Sequence, residues 1–425
     1  MRPHSVSLSD LPVAGPRRLA LRLHAPAERA LRGGHPWLFE SGIREQSHEG
    51  KPGDLAVAFD RKGRFLAIGL YDPHSPIRMR VLQGGQPERI DAAWFDARIA
   101  RALGLRSPLE RTGTTGFRLI HGENDGLPGL VVDRYEDLLV AKLYSAAWIP
   151  HLAQVSASLA RRSPFRHFLV RLSRRLQSHP DALFGVDDGT LLVPDTDAET
   201  VDPPDFPVQF RENGLLFEVD PVRGQKTGFF LDQRENRLRV ERLAKEAGSV
   251  LNVFAYTGGF SLYAARGGAE HVVSLDQSRP ALDAALRNFA LNRGGGPVDR
   301  CRHEIQCGDA FTLLGRIRDE GRRFDMVVVD PPSFAKEEGD ITAALGSYTR
   351  LARLGLGVLR PGGILVSASC SSRVDAESFF GAVQRGAEME GRPLREIERT
   401  GHPLDHPVIP QFPEGAYLKC LFARS

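Results

Sequence analysis

From about residue 207 onward, short apolar stretches alternate with amphipathic ones, and this alternation leaves the chain few architectures to choose from. Strands are predicted at 249–254, 271–276, 304–308, 324–330 and 363–369. Helical stretches at 259–266, 278–292, 310–320 and 343–358 lie between them. Met326-Val327-Val328-Val329 is apolar on both faces, which requires helices on each side of a parallel sheet. The fold class expected for 207–425 is therefore α/β, a doubly wound, Rossmann-like sheet. A further helix at 376–390 and late strands at 394–398 and 417–422 predict a closing antiparallel hairpin.

The remainder reads differently. A chain of 425 residues exceeds what one core usually organises. After an N-terminal extension at 1–16, close strands with glycine turns at 17–85 suggest a small β-barrel, as in Leu55–Phe59 followed by Arg61-Lys62-Gly63. Residues 90–205 suggest a small α+β domain: a helix at 92–103, strands at 129–135 and 138–144, a helix at 150–162 and a strand at 168–172. The acidic, proline-rich stretch 194–207 reads as a linker.

No apolar run approaches the roughly 20 residues that span a bilayer, and the first residues lack a secretory pattern. Four cysteines without a CxxC pair or a histidine at zinc spacing argue against a metal site or a disulfide framework. A cytoplasmic protein without membrane association is expected. The net charge of +3 neither demands nor excludes a polyanionic partner. Arg161, Arg162, Arg166, Arg171, Arg174 and Arg175 crowd one stretch, either as a solvated face or as a phosphate contact.

The predicted parallel strands end in residues with chemistry. After the first comes Phe254-Ala255-Tyr256-Thr257-Gly258-Gly259, where glycines permit a tight turn close to a ligand. The second ends in Asp276-Gln277, a carboxylate placed for both ribose hydroxyls of an adenosine. These features fit NAD and S-adenosylmethionine alike, but the GxGxxG spacing of a dinucleotide site is missing. Asp309-Ala310 ends the third strand, as an adenine contact, a helix cap, or both. The fourth ends in Asp330-Pro331-Pro332-Ser333-Phe334, a rigid exit loop suited to gripping a planar base beside an aromatic ring.

Cys370 follows the fifth strand. It can be a small buried hydrophobe, or a nucleophile at the same edge as the other candidates. As a nucleophile it suits C5 of cytosine, a carbon that reacts only after a thiolate adds to C6. Asp330 could then protonate N3 as the adduct forms. Arg223-Gly224-Gln225-Lys226-Thr227-Gly228 superficially suggests a phosphate loop but lacks the GxxxxGK spacing.

At this point the chain resembles the bacterial 23S ribosomal RNA methyltransferases that form 5-methylcytosine, the large-subunit methyltransferase I family. The resemblance rests on Gly34-His35-Pro36-Trp37-Leu38-Phe39, on Asp125-Gly126-Leu127-Pro128-Gly129-Leu130-Val131-Val132-Asp133 and on Lys226-Thr227-Gly228-Phe229-Phe230-Leu231-Asp232-Gln233-Arg234. It continues through Tyr256-Thr257-Gly258-Gly259-Phe260, Asp330-Pro331-Pro332, Ser369-Cys370-Ser371, His406-Pro407-Val408 and Pro413-Glu414-Gly415. It implies a PUA RNA-binding barrel, a middle domain and a Rossmann-like catalytic domain using S-adenosylmethionine on ribosomal RNA. It implies that Cys370 is the nucleophile and Asp330 its partner on the base, with 254–259, Asp276, Gln277, Asp309, Ala310 and Asp330 about the cofactor. Lys226, Phe230, Arg234, Pro331, Pro332, Phe334 and His406 are the implied substrate contacts.

The chain departs from the family at Ser372, where a glycine often follows Cys-Ser, and at Ser333, where some members carry lysine. Both bear on the target nucleotide more than on the chemistry. The second cysteine that other RNA cytosine methyltransferases carry beside Asp-Pro-Pro is missing. Two other readings stand: methylation of guanine N7 or N2, and an RNA-binding assembly factor with a vestigial cofactor pocket. The residues leave open whether the chain pairs as a homodimer.

Overall fold

The apolar runs that end in glycine, aspartate and cysteine become neighbouring strands of one sheet. The computed structural model describes residues 4–194, 204–335 and 337–425, so most of the expected linker at 194–207 lies outside the described residues. The chain divides into two units. The first comprises Met1–Gly214, Val219–Leu231 and Leu404–Pro413; the second comprises Leu215–Glu218, Asp232–Pro403 and Glu414–Ser425.

The main sheet of the second unit has seven strands: β1 (Ser249–Val253), β2 (His271–Asp276), β3 (Arg302–Cys307), β4 (Phe324–Val329), β5 (Leu359–Ser369), β6 (Arg395–Thr400) and β7 (Lys419–Arg424). Their order is β3-β2-β1-β4-β5-β7-β6. The first five pair in parallel, while β7 runs antiparallel to both β5 and β6. β5 begins at Leu359 rather than 363, and a register shift against β4 accommodates its early residues.

Among the described residues, six helices of nine residues or more accompany this sheet: α1 (Arg234–Leu243), α2 (Gly259–Gly267), α3 (Arg279–Leu291), α4 (Ala310–Asp319), α5 (Ile341–Gly357) and α6 (Ala376–Met389). One core joins Leu251, Val253, Val327, Val329 and Leu365 of the strands to Leu314, Leu351, Phe379 and Val383 of α4, α5 and α6. Helices start where a side chain can satisfy their free N–H groups. Asp309 accepts from Thr312 N–H at 2.9 Å, and Asp375 from Ser378 N–H at 2.9 Å.

The first unit contains two six-stranded sheets. One has the order Trp37–Phe39, Ile77–Gly84, Phe65–Tyr71, Leu55–Phe59, Leu19–Leu23, Ile43–Gln46 and packs around Leu21, Leu38, Ala58 and Met79. Gly69 is required there, because a Cβ would lie 2.1 Å from the carbonyl oxygen of Arg80 on the next strand. The other sheet contains the expected strands Leu130–Tyr135, Leu138–Leu143 and His167–Leu172, with helices Ala92–Glu110 and Leu152–Arg162. It gains Gly116–His121 and Thr190–Val193, which periodicity did not show. Ser5–Ser7, within the expected N-terminal extension, pairs in parallel with Thr190–Val193 as its edge strand.

Candidate active site

The strand order reverses between β1 and β4, so the loops after these strands leave in different directions and open a crevice at the carboxyl edge. Around it stand the ends of β1, β2, β4 and β5. The loop after β1 is under backbone strain: Phe254 (φ 62°), Tyr256 (φ 49°) and Gly258 (φ 78°) all lie in the left-handed region. Two of the three carry side chains that disfavour it, and such strain persists only where neighbours hold it.

Asp276 supplies that hold. Its carboxylate accepts the Tyr256 N–H at 2.9 Å and the Ser278 N–H at 2.8 Å, clipping the β1 loop to the β2 loop. On the other side, Asn288 donates to the Thr257 carbonyl at 2.9 Å. A Cβ on Gly258 would lie 2.8 Å from the Ala285 Cβ, so only glycine fits there. Within this cradle the Thr257 hydroxyl is buried without a hydrogen-bond partner, an orphan a ligand's polar groups can satisfy.

The loop, Asp276 and the neighbouring Gln277 fit S-adenosylmethionine. Asp309 is exposed, caps α4 through Thr312, and has its carboxyl held below the usual range mainly by the Thr312 N–H. Ala310 is buried as the first residue of that helix. Asp276→Ala is expected to weaken S-adenosylhomocysteine binding by roughly 1–3 kcal/mol, through lost hydrogen bonds and a released loop. Unchanged affinity by calorimetry would mean that the nucleoside is held elsewhere.

Cys370 leaves the end of β5 half-buried, with its Sγ 3.8 Å from the Pro331 carbonyl oxygen. The thiol therefore lies against the Asp330-Pro331-Pro332 loop. The other cysteines are placed differently. Cys301 and Cys420 are buried, and burial pushes both thiols up, Cys301 to about 11. Cys307 is exposed at the end of β3. Cys370 is the half-buried cysteine against the Asp-Pro-Pro loop, its Sγ beside the Pro331 carbonyl.

Two residues near the thiol had not been singled out from sequence. Tyr348 of α5 shares a 2.8 Å hydrogen bond with the Ser369 hydroxyl, and its ring meets Phe334 edge-on at 5.2 Å. Burial pushes its phenol up to about 12; the Ser369 bond opposes this, and the charges of Cys370 and Asp330 add to it. Lys419, the first residue of β7, is 5% exposed. The visible signal for it was a lysine within an otherwise apolar stretch, Leu418-Lys419-Cys420-Leu421-Phe422.

The expected substrate contacts divide between the units. Pro331, Pro332 and Phe334 stand beside Asp330 in the second unit, and Arg234, also there, is fully buried at the start of α1. Lys226, Phe230 and His406 belong to the first unit. There the Lys226 ammonium lies 4.6 Å from the Phe230 ring centre, and His406 is buried 4.9 Å from the ring of His121. Half of the arginine run is held in ion pairs: Arg161 and Arg162 meet Asp96 at 2.9 and 2.5 Å, and Arg171 meets Asp188 at 2.9 Å. Among the described residues, no helix is long and apolar enough to cross a membrane.

Comparison with known proteins agrees with this geometry. A family model described as S-adenosylmethionine-dependent methyltransferase matches residues 193–424, and a PUA-like domain model matches 21–83. A protein of Deinococcus radiodurans named ribosomal RNA large subunit methyltransferase is 48% identical, over 97% of this chain and 98% of its own length. Ribosomal RNA large subunit methyltransferase I of Pseudoalteromonas translucida is 38% identical, over 95% of this chain and 99% of its own. A solved S-adenosylmethionine-dependent methyltransferase from Streptococcus mutans shares the fold with a TM-score of 0.77 at 20% identity, covering 96% of this chain and 100% of that one. A structure of a methyltransferase complexed with S-adenosylhomocysteine matches equally well, at TM-score 0.77 and 20% identity, again covering 96% of this chain and 100% of its own. With a PUA-like domain ahead of a seven-stranded catalytic sheet whose crevice fits the cofactor, this chain belongs to the S-adenosylmethionine-dependent methyltransferases, in the family of the ribosomal RNA large subunit methyltransferases I.

Proposed function

We propose that the chain methylates C5 of a cytosine in 23S ribosomal RNA through a covalent adduct between Cys370 and C6 of the base. The observation that carries this reading is the Cys370 Sγ lying 3.8 Å from the Pro331 carbonyl, at the edge where the cofactor loop also ends. The names of the relatives support the RNA class. Bound S-adenosylmethionine supplies an electrophilic methyl group. The residues of the chain make the carbon able to accept it.

The Cys370 thiolate adds to C6, and Asp330 delivers a proton to N3, so the ring pair moves onto C5. Once C5 carries the methyl group, a base takes the C5 proton and Asp330 recovers the proton from N3. The C6–S bond then breaks and the 5,6 double bond returns. Pro331 and Pro332 fix the backbone that carries Asp330, so the carboxyl does not wander during two proton transfers. Reaching this site requires the target base to leave its stack, which costs a few kcal/mol in a paired helix. Free or incompletely assembled RNA in the cytoplasm is therefore the expected substrate. The PUA-like domain adds affinity through phosphate contacts.

The test uses RNA in which cytosine is replaced by 5-fluorocytosine. Fluorine leaves no C5 proton to remove, so the adduct persists and migrates as a protein–RNA complex under denaturing conditions. Mass spectrometry should place the RNA on the Cys370 peptide. Methylation of ribosomal RNA without any trapped adduct would sink the reading and favour a guanine nitrogen as the acceptor.

A further inference from the structure

Lys419 is a buried cation that the chemistry above leaves unused. Because β7 runs against β5, its first residue stands opposite Ser369, the residue before Cys370. The ammonium donates to the Ser371 carbonyl oxygen and, at 3.0 Å, to that of Tyr417. These carbonyls lower the cost of burial but carry no net charge. A buried ammonium is expensive unless an anion accompanies it.

The negative charges that act on Lys419 are those of Cys370 and Asp375. Asp375 is exposed and committed to capping α6, where it accepts the Ser378 N–H at 2.9 Å and the Ser378 hydroxyl at 2.6 Å. Other titratable groups around this corner are Tyr348 on α5, Asp330 after β4, Cys420 on β7 and His402, whose Nε2 accepts the Leu418 N–H at 3.2 Å. Of Cys370 and Asp375, Cys370 is the half-buried one, at the exit of the strand that β7 pairs with.

We propose that Lys419 is a positioning residue: its ammonium pins the exit of β5 through the Ser371 carbonyl and favours the thiolate of Cys370. This rests on the reading of Cys370 as the nucleophile. Burial lowers Lys419 to about 8, while Cys370 and Asp375 pull it back up. The attraction is mutual, so whatever favours the charged lysine also favours the charged thiol. A neutral C6 attacker would be far weaker, because the thiolate is the nucleophile.

The test is the pH dependence of iodoacetamide alkylation in the full chain, read peptide by peptide. Exposed Cys307 serves as the internal reference. In the wild type, Cys370 should become reactive at a midpoint about one pH unit or more below that of Cys307. Lys419→Met should raise the Cys370 midpoint by about one unit or more, and Lys419→Arg should restore most of the difference. A Cys370 midpoint that does not move in a folded Lys419→Met protein, as judged by its thermal shift with S-adenosylhomocysteine, overturns the proposal. If that variant does not fold, the wild-type comparison decides: a Cys370 midpoint at or above that of Cys307 overturns it equally. The 5-fluorocytosine trap separates the two readings. A shifted midpoint without a trapped adduct supports the charge coupling and removes the nucleophile, whereas a trapped adduct with an unshifted midpoint removes only the role of Lys419.

Discussion

In Cys370→Ala, methyl transfer to cytosine is expected to fall at least about a thousandfold, since loss of a covalent nucleophile removes the whole activated pathway. Affinity for S-adenosylhomocysteine should stay within about threefold, because β5 and the loop after β1 are separate sites that contribute independently. The substitution is small and Cys370 is half-buried, so little packing is lost and the protein should remain folded. Single-turnover transfer of labelled methyl groups to ribosomal RNA measures the rate, and calorimetry measures the affinity. Residual activity above a few per cent would show that C5 is not activated by this thiol.

The second large effect belongs to Asp330→Asn. Asparagine keeps the shape of the loop entry but cannot transfer a proton to N3, and general acid catalysis is typically worth about 10²–10⁴-fold. The rate of methyl transfer should fall within that range while the KM for RNA changes little. The rate of adduct formation with 5-fluorocytosine RNA should fall by the same factor, because protonation accompanies attack at C6. A near-normal adduct rate would reduce Asp330 to a residue that shapes the loop.

The catalytic fold was readable because most of the parallel strands are apolar runs of the right length, and each ends in a residue with visible chemistry. Met326-Val327-Val328-Val329 could only be a strand buried on both faces, and Gly258-Gly259 could only be a tight turn. What stayed hidden depends on partners distant in sequence. Gly116–His121 and Thr190–Val193 are strands because Leu130–Tyr135 and His167–Leu172 pair with them, and nothing local announces this. The loss of Val219–Leu231 and Leu404–Pro413 to the first unit was equally silent, since a segment's allegiance is set by what it packs on.

Strained backbone at Phe254 and Tyr256 was also beyond pattern reading: both are ordinary side chains, and only their dihedral angles show that the loop is held open at some cost. Lys419 shows the same limit from the opposite side. The residue was visible, but its significance needed the register that sets it opposite Ser369.

That register also bears on how the molecule is made. β7 lies inside the sheet, between β5 and β6, although it follows both in the chain. During synthesis β5 must therefore wait, with one row of backbone N–H and C=O groups open, until residues 419–424 leave the ribosome and slot in beside it. An apolar strand with an unmet edge is where chains stick to one another. The vulnerable interval is thus the one before residues 419–424 emerge, and a chain cut ahead of Lys419 would aggregate rather than remain a weak enzyme.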